Sequence, residues 1–334
     1  MGRIDERIDR AFAVTRRHIG AGWFARVWAP TIFTAEKRLE VGTMSGRSAC
    51  RQRIEFHAGD GFPLTGTYFP AISDAAANTP VLLCPATGLR QSFYFPFADW
   101  LRGNGHSTFV FDYRGIGASL DVRHVRQSRA RKQDWGQLDM PAALDWLLGR
   151  IGARDAHLIG HSAGAQLVGL MPNHAAVRSL SAISASSGYV GNIRWPTRFA
   201  ASLLANVYVP VAARLLDYVP AKVLGWGDDL PAAVGLQWAR WCRRPGYVAN
   251  DFGIGISRHY YNEFSAPVTV VAATDDPLAT PANIEDWLRL LPRARSRIHF
   301  VSPQTCGGRA IGHVGMFRRE HSSLWPELTG GWTR

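Results

Sequence analysis

The chain has 334 residues, 46% of them hydrophobic and only 19% charged, with 12 Trp, 16 Phe and 9 Tyr. That composition supports a large core, excludes disordered, collagen-like and low-complexity classes, and at this length predicts about two units or one α/β domain with an insertion. The net charge of +12 rests on 35 Arg and three Lys against 26 acidic residues; with no base-stacking aromatics or recognised module beside it, it reads as solvated loop and tail charge and argues for no nucleic-acid partner.

Residues 1–48 carry mixed charge and a weak helical pattern at Ile8, Phe12, Val14 and Ile19, which predicts a poorly packed extension, with Met44 as an alternative start. They hold no apolar stretch with a small-residue cleavage site, so a cytoplasmic location is expected. Ile54 and Phe56, then Leu64, Gly66 and Tyr68, alternate around the Gly59-Asp60-Gly61 turn and predict a hairpin. Val81–Cys84 and Thr108–Phe111 are continuous apolar runs, as expected of strands buried on both faces, and Phe93, Phe97, Trp100 and Leu101 signal a helix between them.

The basic segment containing Arg123, Arg126, Arg129, Arg131 and Lys132 is expected to be a solvated loop, and Leu138, Ala142, Ala143 and Leu147 then space out an amphipathic helix. Strand 156–159, helix 165–170, strands 180–185 and 268–273, helix 282–291 and strand 298–301 complete an alternation that specifies a mainly parallel sheet covered on both faces. Between them, over 188–263, the period is lost in a stretch rich in Trp, Tyr and Pro. It reads as an insertion dividing a core of 49–187 and 264–334.

The longest apolar run of the insertion, 199–213, is shorter than the roughly 20 residues of a membrane span, so no integral membrane segment is expected. Cys50, Cys84, Cys242 and Cys306 match no zinc or redox spacing and are expected to be reduced.

Gly160-His161-Ser162-Ala163-Gly164 lies between the strand at 156–159 and a helix, the context in which G-x-S-x-G forms a nucleophile elbow. Such a turn strains the backbone at Ser162 and leaves no room for side chains at 160 and 164. A serine hydroxyl needs a base and a group to orient that base, and both follow in the chain. Asp275 and Asp276 come directly after the strand at 268–273, and His313 lies in a Gly-rich segment past the last strand. His157 and His161 read as structural neighbours of the elbow.

With these motifs in this order, the sequence from about residue 50 onward resembles the α/β-hydrolase superfamily. The resemblance implies an α/β-hydrolase fold, a mainly parallel sheet with helices on both faces and an inserted cap. It makes Ser162 the nucleophile, His313 the general base and Asp276 the orienting carboxylate; Asp275 is the close rival, and whichever is unused should brace the loop. The oxyanion hole would combine the backbone N–H of Ala163 with one from Pro85-Ala86-Thr87-Gly88-Leu89, where Thr87 is preferred over Leu89. The family's usual His-Gly is absent from that loop. Asp112 should brace backbone.

The segments Gly227-Asp228-Asp229-Leu230-Pro231 and Trp238-Ala239-Arg240-Trp241-Cys242 resemble a bacterial subgroup known only as predicted α/β hydrolases, which gives no substrate. The expected activity is cleavage of an ester or thioester of a small-molecule acyl substrate, with no metal or cofactor. Acyl transfer by the same triad, or a non-catalytic binding role, are the alternatives. Most Trp and Tyr of the insertion should form its own core, the uncharged 199–213 stretch should roof Ser162, and Arg240, Arg243 and Arg244 are candidates to attract an anionic leaving group. The oligomeric state is not indicated.

Overall fold

In the computed structural model, which describes residues 51–72 and 79–332, strands β1 (Gln52–His57) and β2 (Pro63–Phe69) form the expected hairpin around the Gly59-Asp60-Gly61 turn. The predictions for residues 1–48, the start at Met44 and the state of Cys50 lie outside the described residues. Strands β3 (Val81–Cys84) and β4 (Thr108–Phe111) are fully buried, and helix α1 (Phe95–Gly103) connects them. Helix α2 (Met140–Ile151) leads to β5 (Ala156–His161), short helix α3 (Ala163–Gln166) and β6 (Val177–Ile183). Beyond the insertion come β9 (Val268–Ala273), helix α6 (Pro281–Leu288) and β10 (Ser296–Val301).

Eight strands form one sheet in the order β1-β2-β4-β3-β5-β6-β9-β10, antiparallel at the hairpin edge and parallel from β4 onward. Parallel strands need a crossover between them, and the connecting helices bury both sheet faces under two apolar clusters. The helix expected over 165–170 begins earlier, at Ala163, and breaks after one turn into a 3₁₀ turn at Val168–Leu170.

The insertion is more regular than its sequence suggests. Helix α4 (Thr197–Leu216) is long and apolar enough, by length and composition alone, to cross a membrane, although no uninterrupted apolar run marks it. It contains a wide π turn at Leu204–Tyr208, just before Pro210, whose missing N–H and bulky ring an ordinary α turn accommodates poorly. A two-residue pair, β7 (Tyr218–Val219) with β8 (Leu230–Pro231), and helix α5 (Ala232–Cys242) complete the insertion's regular elements.

Candidate active site

The turn from β5 into α3 holds Ser162 at φ +48° and ψ −110°, a conformation that costs a non-glycine residue on the order of 1–3 kcal/mol. The flanking glycines make it possible. A Cβ at Gly160 would stand 2.3 Å from the Ala165 nitrogen, and one at Gly164 would stand 2.1 Å from the Cys84 carbonyl oxygen. The latter contact seats the end of β3, and the loop that follows it, directly against the turn.

His313 Nε2 lies 3.1 Å from Ser162 Oγ, and His313 Nδ1 lies 2.8 Å from Asp276 Oδ2. The other oxygen of Asp276 accepts from the N–H groups of Leu278 and Ala279 at 2.8 and 3.1 Å, which aims Oδ2 at the ring. Burial opposes a charge on Asp276, but the His313 ring and these hydrogen bonds outweigh it and hold the carboxyl below its ordinary value. Asp275 forms no hydrogen bond or ion pair with the ring among the described residues. Its two oxygens accept from the N–H groups of Ile311 and Gly312 at 2.9 and 3.0 Å, so it fastens the segment that carries His313.

His161 has a larger place than that of a neighbour packed beside the turn. Its Nε2 is 2.9 Å from the His313 carbonyl and its Nδ1 is 2.8 Å from the Tyr94 hydroxyl, which accepts from the Ala86 N–H at 2.8 Å. A carbonyl only accepts, so Nε2 carries the proton and Nδ1 accepts from Tyr94. Burial pushes the pKa of His161 down to about 3, keeping the ring neutral. The Gly-x-Ser turn, the loop after β3 and the His313 loop are thereby tied together. Nothing in the sequence pairs Tyr94 with His161, since the contact depends on β3 lying beside β5. His157 sits away from this chain, hydrogen-bonded to Ser179 and stacked on Trp332.

In the loop after β3, Ala86 N–H is taken by Tyr94 and Leu89 N–H donates to the Ala86 carbonyl. Leu89 is therefore withdrawn as a donor. Among the described residues, no intramolecular acceptor is found for the N–H of Thr87 or of Ala163, the first residue of α3. Asp112 braces backbone as expected, accepting from the N–H groups of Gln91 and Ala118. The Gly227-Asp228 segment clamps the same loop: Asp228 N–H donates to Gly88 O at 2.7 Å, and the Asp228 carboxylate pairs with Arg90 through two hydrogen bonds.

Two expectations about charge need correction. Arg123, Arg126, Arg129 and Arg131 are exposed, but Lys132 is completely buried. Its Nζ donates to Thr87 Oγ1 at 2.5 Å and stands 4.8 Å from the centre of the Trp135 ring. Burial lowers its pKa to about 7, and among the described residues no carboxylate pairs with it. Its tertiary setting buries it, since the turn it starts packs against α5. Arg240 is committed to an ion pair with buried Asp251, whereas Arg243, which donates to the Ala205 carbonyl, and Arg244 are exposed and have no carboxylate partner among the described residues.

Ser162, His313 and Thr87 open on a cavity of about 190 Å³. Its roof is apolar, with Ala201, Leu204 and Ala205 from α4 and Leu230, Trp226 and Trp238 from the rest of the insertion. The aromatic residues of the insertion divide: Trp241 is fully buried, Trp226 and Trp238 face the cavity, and Trp195 is exposed.

A family model described as "Alpha/beta hydrolase family" matches residues 81–320. An uncharacterized protein of Mycobacterium tuberculosis is 30% identical over 205 residues, covering 58% of this chain and 70% of its own. Among solved structures, a hypothetical protein of Pseudomonas aeruginosa superposes with a TM-score of 0.56 at 12% identity, over 88% of this chain and 98% of that one. A thermophilic esterase from Thermogutta terrifontis gives 0.52 at 15% identity, over 84% and 97%. At such identities the likeness is one of fold.

Proposed function

The chain belongs to the alpha/beta hydrolase family, and we propose that it is a serine hydrolase cleaving a carboxylic ester or thioester through an acyl-enzyme. The observation that carries this reading is the continuous Ser162–His313–Asp276 hydrogen-bond chain at a strained turn facing an apolar cavity. In the proposed reaction Ser162 Oγ attacks the acyl carbon while His313 Nε2 takes its proton. The carbonyl oxygen becomes an oxyanion facing the N–H groups of Ala163 and Thr87. Collapse restores the carbonyl and breaks the bond to the alkoxide or thiolate, which leaves with the proton from His313. Water activated by His313 then releases the acid and regenerates Ser162. Asp276 orients the ring and stabilises it while it carries the proton.

In this reading residues 188–263 are a cap whose apolar lining selects a hydrophobic acyl chain. A panel of acyl esters and thioesters, assayed on wild type and Ser162→Ala with a fluorophosphonate probe alongside, tests it. Wild type should turn over and be labelled, and Ser162→Ala should lose on the order of 10³-fold or more in kcat. Activity retained within about tenfold in Ser162→Ala would overturn the assignment.

A further inference from the structure

Helix α4 presents two apolar faces. The inner face, including Ala205, Val209 and Ala212, is buried. The outer face carries Phe199, Leu203, Val207, Val211 and Leu215 at intervals of four, with Trp195 one step before the helix, each between 40% and 76% exposed. These are six of the thirteen exposed large apolar side chains among the described residues, so their concentration on one helix and its approach is not the scatter normal for a surface. In a regular α-helix a four-residue step drifts by about 40°; the wide turn at Leu204–Tyr208 under-winds α4 and keeps the stripe closer to one line.

We propose that this face docks on an anionic membrane surface, with α4 lying in the plane of the headgroups. Charge favours that occupant. The exposed charges along the helix and its N-terminal approach are Arg194, Arg198 and Arg214, at the two ends of the stripe and without ion pairs among the described residues, with one carboxylate, Asp217, just past the C-terminus. An apolar stripe flanked by arginines with Trp at one end is the composition of a helix that rests in a lipid interface. Spanning is disfavoured because it would strip the inner face from the core and break the bonds that hold α4 down, from Arg243 to the Ala205 carbonyl and from the Tyr208 hydroxyl to the Pro220 carbonyl.

The full chain is tested by flotation with vesicles of phosphatidylglycerol or phosphatidylcholine, in low and high salt. Wild type should float with phosphatidylglycerol vesicles, less with phosphatidylcholine, and detach partly as salt rises. The triple variant Phe199→Ser, Val207→Ser, Leu215→Ser should lose at least about tenfold in partitioning with an unchanged melting temperature, since all three side chains are exposed. The proposal is overturned if wild type ignores both vesicles. It is also overturned if the triple variant floats like wild type, or if wild type is a dimer that the variant converts to monomer without vesicle binding.

A second inference, which rests on the proposed hydrolase reading, comes from Lys132. In its ammonium form, populated at and below about pH 7, Lys132 only donates, so in that form the Thr87 hydroxyl accepts from it and keeps its own proton for another partner. We infer that this proton is a further donor to the oxyanion, making the Thr87 side chain catalytic and Lys132 its positioning residue. Thr87→Val keeps the backbone N–H but removes the hydroxyl, and should lower kcat by about 10- to 100-fold with KM little changed. Thr87→Ser should recover most of that loss. Lys132→Met should also lower kcat, and the double variant should be no worse than Thr87→Val, because Lys132 acts through the hydroxyl. Wild-type kcat in Thr87→Val, or additive losses in the double variant, would overturn the inference while leaving the Ser162 result untouched.

Discussion

Lys132 exerts its largest effect on stability by being where a charge is expensive. Its pKa falls from 10.5 to about 7 on burial, so between those values the unfolded chain holds a proton that the folded chain does not. Folding is penalised in full at and below pH 7, and the penalty shrinks as pH rises toward 10.5. Lys132→Met should therefore stabilise the protein by roughly 1–4 kcal/mol at pH 7, with the gain over wild type diminishing in denaturant titrations from pH 7 to 10. A constant difference across that range would show that Lys132 is charged and solvated. The two adjacent aspartates should behave unequally. Asp276→Asn leaves His313 without its acceptor and should lower kcat by about 10³- to 10⁴-fold, while Asp275→Asn, which weakens only the brace to Ile311 and Gly312, should act mainly through a lower melting temperature. At this scale Ser162 and His313 are readable because chain order and flanking glycines mark them, and the Asp275-Asp276 pair because it follows a strand, but which aspartate meets the ring is decided by the folded loop. Lys132 is not, because in a run of arginines nothing local shows that one side chain turns inward.

Among the elements, the strands declare themselves best, since burial on both faces leaves continuous apolar runs such as Val81–Cys84. Helix α4 was hidden for a related reason: with apolar residues on both its faces, the contrast that reveals a helical period is missing. Its inner face gives a prediction of its own. Ala201 and Ala205 line the cavity, and Ala201→Trp would fill space an acyl chain is proposed to occupy. Activity toward long-chain esters should then fall by at least about tenfold, the value of two or so buried methylenes, with short-chain esters spared. An equal loss on every ester in the panel would place Ala201 outside the acyl path.

For the whole molecule, alternation of strands and helices announced a parallel sheet, but the order β1-β2-β4-β3-β5 was not readable, because a crossover can return on either side of its strand and only packing decides which. The cavity roof predicts that kcat/KM rises with acyl length by up to about fourfold per methylene, the equivalent of 0.8 kcal/mol, and then drops once the space is filled. A flat profile would show that the roof does not touch substrate. The hydrogen-bond chain through Tyr94 and His161 has a further consequence, set by its two ends. Ala86 N–H can only give and the His313 carbonyl can only receive, so every link between them points one way. A chain with fixed ends cannot reverse, and a chain that cannot reverse cannot conduct a proton. His161 and His313 have ring centres 5.7 Å apart, yet the proton that His313 takes from Ser162 cannot pass to His161 along this chain, which ends on the His313 backbone and not on its ring.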